Sequence, residues 1–154
     1  MASNRHLGRI IALQTLYEFD FRRACGDAAA DLDEILGRNL ERYEDTVGDK
    51  EFVNQLTHGV AAKSVDLDAI LQPIAPEWPL EQVARVDRTI LRLALFELTE
   101  LQKLVPPKVA INEAVELAKA FGGDNSSKFI NGVLGTAYRT LIEGKPDDPE
   151  LRKV

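Results

Sequence analysis

Three features of the sequence predict an all-α fold. Apolar residues recur at spacings of three and four along most of the chain. No stretch shows the alternation and turn spacing of a sheet. Gly, Pro, Asp and Ser stand where periodic stretches begin and end. The expected architecture is a compact bundle of about seven helices, two before a polar link at residues 45–49 and five after it. The corresponding subdomains are residues 1–48 and 49–143, within a single domain, followed by a polar, mobile tail at 144–154.

The first helix covers residues 3–23. Leu7, Ile10, Ile11, Leu13, Leu16 and Tyr17 form its apolar stripe, and Ser3 is placed to cap it. Arg5, His6 and Arg9 near its start are either a solvated terminus or an arm for phosphates. Cys25, Gly26 and Asp27 break the pattern. Leu32, Ile35, Leu36, Leu40 and Tyr43 mark a second helix, opened by Asp27 or Asp31. Asp49 caps a third, with Phe52, Leu56 and Val60. Ser64 or Asp66 opens a fourth, whose Leu67, Ile70, Leu71 and Ile74 share one face, and Pro73 bends or ends it.

Residues 75–79 form a stiff connector. Trp78 within it is a packing anchor or, with no basic cluster adjoining it in sequence, less readily a base-stacking residue. Pro79 opens the fifth and longest helix, which runs to about Leu101. Its wide apolar face suits a central helix. Arg85, Arg88 and Arg92 line one side, as surface ion pairs or as a contact surface for a partner.

Residues 108–139 read as helix, polar loop, helix. Val109, Ala110, Ala114, Val115, Ala118 and Phe121 make the first apolar face, and Gly122 stands where a left-handed residue would end that helix. Asp124, Asn125 and Ser126 are N-cap candidates. Ile130, Val133, Leu134, Ala137 and Leu141 make the second face. Phe129 sits off its centre, between Lys128 and Asn131. A cation, a ring and an amide beside a helix N-terminus can hold a phosphate and stack a base. A peripheral core role for Phe129 is the competing reading.

Composition narrows the function classes. Hydrophobic residues are 45% and charged residues 29% of 154, as in a soluble domain. No transmembrane span or signal-peptide pattern is present, so a cytoplasmic protein is expected. One cysteine, Cys25, and two histidines, His6 and His58, argue against a disulfide or a metal site. No phosphate-binding loop, nucleophile elbow or other catalytic constellation occurs. Glu113 and Glu116 read as a solvated helix surface. The net charge of −6 opposes nonspecific nucleic-acid binding. The acids are unevenly spread, however. Residues 24–50 hold eight acids against three basic residues, and residues 1–23 hold four arginines against two acids.

KVAINEAVELAKAFG followed by SSKFINGVLG, VDRTILRLALFEL at residues 86–98 and ALQTLYEFDF at residues 12–21 together resemble the NusB family of bacterial transcription antitermination factors. The resemblance covers nearly the whole chain except residues 24–50 and 143–154. It implies an all-helical fold of two subdomains, no catalytic activity and no cofactor. It implies binding of boxA RNA from ribosomal RNA operons, together with ribosomal protein NusE, within an antitermination complex on RNA polymerase. By the same resemblance the RNA side comprises Arg5, His6, Arg9, Arg92, Asn125, Ser126, Lys128, Phe129 and Asn131. The NusE side comprises Asp87 and Arg88, with Tyr17 and Glu18 as weaker candidates. The N-terminal arginine cluster is sparser than in many relatives, and Asn125 stands where an acid is common; these departures act in opposite directions on RNA binding. Monomer and homodimer both remain open for the free protein. The alternatives are an RNA-positioning domain like that fused to ribosomal RNA methyltransferases, disfavoured because no methyltransferase domain is present, and a helical protein-interaction scaffold without specific RNA binding.

Overall fold

Six α-helices follow one another in the computed structural model, which describes residues 2–144, with side chains from Arg5 onward. They are α1 (Ala2–Ala24), α2 (Leu32–Arg42), α3 (Lys50–Ile74), α4 (Arg85–Glu100), α5 (Pro107–Phe121) and α6 (Ser126–Ala137). A 3-10 turn covers Leu80–Gln82, and a π-helical turn, Tyr138–Ile142, extends α6. No strand occurs among the described residues. The all-α class is therefore as expected, with a different helix count. The expected Ser3 cap and the tail beyond Gly144 lie outside the described side chains and residues.

Two boundaries differ from the sequence reading. The expected third and fourth helices are one helix, α3, of 25 residues. Residues 60–72 contain neither Gly nor Pro, so nothing stops propagation past Ser64 and Asp66. Pro73 acts as expected, since α3 ends one residue later. The expected fifth helix is broken. Val83 and Ala84 are extended, at ψ 138° in both, and α4 begins only at Arg85. This break lets Leu80 and Val83 both turn inward, at 7% and 9% exposure. With 16 residues, α4 is shorter than α3 and than the 23-residue α1.

The chain divides into two compact units, Met1–Ala62 and Lys63–Val154. The division falls within α3. In the first unit Ile11 of α1, Leu36 of α2, Val53 of α3 and Val47 of the polar link form one buried cluster, with Leu7, Leu40 and Tyr43 packed against it. Val47 thus makes the link part of a core. Asn39 donates to the Thr15 hydroxyl at 3.0 Å, a buried bond between α2 and α1. Gly26 ends the α1 region at φ +87°, a left-handed conformation that favours glycine. Asp31 caps α2 by accepting from the Asp33 N–H, and Asp49 caps α3 by accepting from the Phe52 N–H at 3.0 Å.

In the second unit α4 is buried nearly all round: Ile90, Leu91, Leu93, Leu95 and Leu98 are each at most 2% exposed. It is the central helix that its wide apolar face predicts. α5 contributes Ala110, Ala114, Leu117 and Ala118, and α6 contributes Ile130, Val133, Leu134 and Ala137. Burial of each large aliphatic side chain stabilises by about 1.5–3 kcal/mol. Val109 and Phe121, expected on the inner face of α5, are instead 39% and 40% exposed, and Leu141 is 44% exposed. Leu117 fills the inner face of α5 in their place.

A pH-sensitive staple joins α2 to α3 in the first unit. His58 Nε2 lies 2.5 Å from Asp33 Oδ1, and its Nδ1 lies 2.9 Å from the Asn54 carbonyl oxygen. The Asp33 carboxylate, then the Asn54 carbonyl, hold the imidazole pKa above its ordinary value. A raised folded-state pKa places the stabilisation below the ordinary imidazole value of about 6.5 and removes it as pH rises through the folded value. Both side chains are exposed, so the contribution is below about 1 kcal/mol. An NMR titration will therefore find His58 titrating above pH ~6.5, and Asp33→Asn will return it toward that value.

Candidate nucleic-acid interface

The loop between α5 and α6 is set by one glycine and one serine. Gly122 ends α5 in an extended conformation, at φ −93° and ψ −174°, and not in the expected left-handed one. Glycine is needed for another reason. A Cβ there would lie 2.6 Å from both the Cβ and the Oγ of Ser126. That close approach brings the Ser126 hydroxyl under the loop, where it accepts from the Gly123 N–H at 2.9 Å. The same hydroxyl donates to Asp87 Oδ2 of α4 at 3.0 Å.

Ser126 and Asp87 were separate expectations, one for RNA and one for a protein partner. The structure joins them in a buried pair, at 7% and 9% exposure. Neither side chain is presented at the surface. The geometric cause is the inward turn of the first α6 residue over α4. Asp87 Oδ1 is buried with no hydrogen-bond partner among the described residues, and the same holds for Arg88 Nε. Asn125 precedes α6 but makes no side-chain cap bond. Its side chain is exposed, as are those of Lys128 and Asn131 in the first turns of α6.

Phe129 is half-buried and meets Trp78 edge to face, with ring centroids 6.2 Å apart and planes at 75°. Two concavities flank this pair. One, of about 120 Å³, is lined by Lys128, Gly132, Thr136 and Glu77 among others. The other, of about 490 Å³, reaches Gln82, Asp87 and Asn125. Trp78 is 57% exposed, so it is no buried packing anchor. No cation adjoins it in the chain. The missing signal was tertiary: Lys128 reaches the same cavity from α6.

Arg92 was expected on the RNA side. Its Nε and a terminal nitrogen donate to both oxygens of Asp68, at 2.7 and 2.6 Å. This two-pronged pair ties α4 to α3 with the Arg92 side chain only 14% exposed. Its guanidinium plane is thereby held against a carboxylate of the same unit.

In the first unit, Arg9 is 2% exposed, and its guanidinium carbon lies 5.2 Å from the centroid of Phe52. It does not project as an arm, because the ring draws the cation inward. Arg5 lies over the same ring at 5.3 Å but, like His6, is half-buried. Tyr17 is 38% exposed and stacks on Phe21, centroids 6.3 Å apart. Glu18, expected as a partner contact, pairs with Arg22 at 3.2 Å and also with Arg38.

Among the described residues no helix is long and apolar enough to cross a membrane. Nor do any three His, Cys, Asp or Glu side chains there group to hold a metal ion. The arrangement is suited to holding a planar ring and an anion side by side.

Comparison with known proteins gives consistent matches. The sequence profile of the NusB family matches residues 6–139. The transcription antitermination protein NusB of Roseiflexus castenholzii (strain DSM 13941 / HLO8) is 46% identical over 150 residues, which cover 94% of this chain and all of the relative. That of Chloroflexus aggregans (strain MD-66 / DSM 9485) is 46% identical over 151 residues, 96% of each chain. The structure of T. maritima NusB superposes with a TM-score of 0.75 at 31% identity, covering 97% of both chains. A chain from a crystal structure of antitermination factors NusB and NusE in complex with dsRNA has a TM-score of 0.77 at 25% identity, covering 91% of this chain and 99% of that one.

Three substitutions test the buried polar contacts. Arg92→Ala should lower stability by about 1–3 kcal/mol in chemical denaturation, because it strands the Asp68 carboxylate. Arg92→Lys should recover only part of this, since an ammonium cannot form the fork. Ser126→Ala should cost a similar ~1–3 kcal/mol by leaving Asp87 buried without its remaining partner.

Proposed function

The chain belongs to the NusB family, and on that premise we propose that it is a transcription antitermination factor that binds boxA RNA together with ribosomal protein NusE, as part of the antitermination complex on RNA polymerase. The family is non-enzymatic, so binding and assembly are the whole of the activity. Such a role is exercised in the cytoplasm, where RNA is transcribed.

The observation that carries this reading is the start of α6. Lys128 and Asn131 are exposed there on either side of the half-buried Phe129. Asn125 adds an exposed amide from the loop. Lys128 supplies a phosphate contact, Phe129 a stacking face, and the two amides hydrogen-bond base edges. The Ser126 contacts to Gly123 and Asp87 hold these groups in place before RNA arrives, which lowers the entropic cost of binding. Arg5 and His6 are the N-terminal contributors. Arg9, Arg92 and Ser126 serve instead to support the two units from within. On the NusE side, Tyr17 with its stacked neighbour Phe21 offers an exposed aromatic surface, and Arg88 contributes a half-buried side chain. NusE seated beside the RNA raises the effective concentration of each ligand for the other.

Lys128→Ala combined with Phe129→Ala should weaken boxA binding about tenfold, in line with the loss of one stacked base and one phosphate contact, while helical content is kept. Gel-shift titration with and without NusE, at two salt concentrations, measures this. Unchanged affinity in the double variant would remove the α6 site. A scaffold without an RNA role would show neither sequence preference nor enhancement by NusE.

A further inference from the structure

Trp78 has the largest side chain of any residue and is more than half exposed. Its position is nevertheless tightly specified. Gln72 of α3 donates to the Trp78 carbonyl at 3.2 Å and accepts from the Leu80 N–H at 3.0 Å. The Trp78 N–H donates to the Ala75 carbonyl at 3.1 Å. Pro76 and Pro79 stiffen the same connector. A rigid loop thus holds an apolar ring out toward water, where a packing role would turn it inward.

The ring also has suitable company. Its edge-to-face contact with Phe129 leaves an exposed indole surface beside the cavity of about 120 Å³ that Lys128 lines. An engineered apolar cavity of about 150 Å³ takes up a benzene ring, so this space is on the scale of one aromatic ring. Lys128, which lines the same cavity, provides a cation for the phosphate that accompanies such a ring. Exposed aromatic, ring-sized space and adjacent cation are the three parts of a base-stacking site on single-stranded nucleic acid.

We propose that Trp78 is a nucleobase-binding residue: an unpaired base of the bound RNA stacks on its indole ring beside Phe129, with the adjoining phosphate at Lys128. This rests on the RNA-binding reading above and adds to it a residue from the α3–α4 connector. Both aromatic rings then contact RNA.

Trp78 is the chain's only tryptophan, so its emission reports on this one position. The full chain with NusE is titrated with boxA-containing single-stranded RNA labelled for anisotropy, and tryptophan emission is recorded in parallel. Trp78→Phe serves as the blank for any emission from NusE. The expected result is quenching of Trp78 with the same midpoint as the anisotropy change. Trp78→Ala should weaken RNA affinity about 5- to 100-fold, the range for one stacked base. Trp78→Phe should stay within a few-fold of the parent, which separates loss of stacking from loss of fold. RNA binding with unaltered emission and unaltered affinity of Trp78→Ala would overturn the proposal and leave the RNA reading standing. Absence of RNA binding by the parent chain would overturn both.

Discussion

One oxygen atom organises the site-bearing half of this protein. The Ser126 hydroxyl accepts a hydrogen bond from the Gly123 N–H and donates one to Asp87, so loop, α6 and α4 meet at a single point. The meeting requires glycine at 122, since any Cβ would occupy the space that Ser126 fills. The orientation of α6 then determines where Lys128, Phe129 and Asn131 emerge. Gln72 does the corresponding work on the other side, fixing the connector that carries Trp78. The exposed groups of the candidate site and the buried groups that aim them are thus different residues, close in sequence: Ser126 is buried and Lys128, two positions on, is exposed.

The arginines divide along the same line. Arg9 lies over Phe52, Arg22 bridges Glu18 and Asp27, Arg38 pairs with Glu18, and Arg92 grips Asp68. Guanidinium groups suit such planar and bidentate contacts better than ammonium groups do. Much of the positive charge therefore serves internal cohesion. For an acidic protein of net charge −6 this leaves aromatic and amide contacts a large share of any grip on RNA.

The sequence disclosed the helices well where local rules decide. Asp31 and Asp49 cap as their positions suggest, α1 ends where Cys25, Gly26 and Asp27 break the pattern, and Pro73 closes α3. It was misleading where tertiary packing overrides local preference. Ser64 and Asp66 look like helix starts, but propagation through them costs little where residues 60–72 hold neither glycine nor proline. Residues 83–84 look helical, but burial of Leu80 and Val83 bends the chain there. In the candidate site, the outward placement of Lys128 and Asn131 beside Phe129 was legible because all three lie off the centre of the apolar face of α6. The internal contacts of Arg9, Arg92 and Ser126 were hidden, because periodicity shows that a polar side chain is present and not where its partner lies. Phe52 is 43 positions from Arg9, and the Asp68 partner of Arg92 is 24 away. The neighbourhood of Trp78, with Phe129 and Lys128 beside it, was hidden for the same reason.

The Asp87 carboxylate has a consequence for competition in a crowded cell. A helix N-terminus with free N–H groups attracts phosphate, sulfate and the tails of free nucleotides alike. Here the protein's own anion stands behind the first residue of α6, relayed by the Ser126 hydroxyl. The end of α6 is thereby partly neutralised from within, and small anions gain little by settling there. What remains attractive at this surface is a ring to stack with a phosphate attached. In the RNA-binding role proposed above, the buried carboxylate favours polymers that present exposed bases over phosphates that carry charge alone.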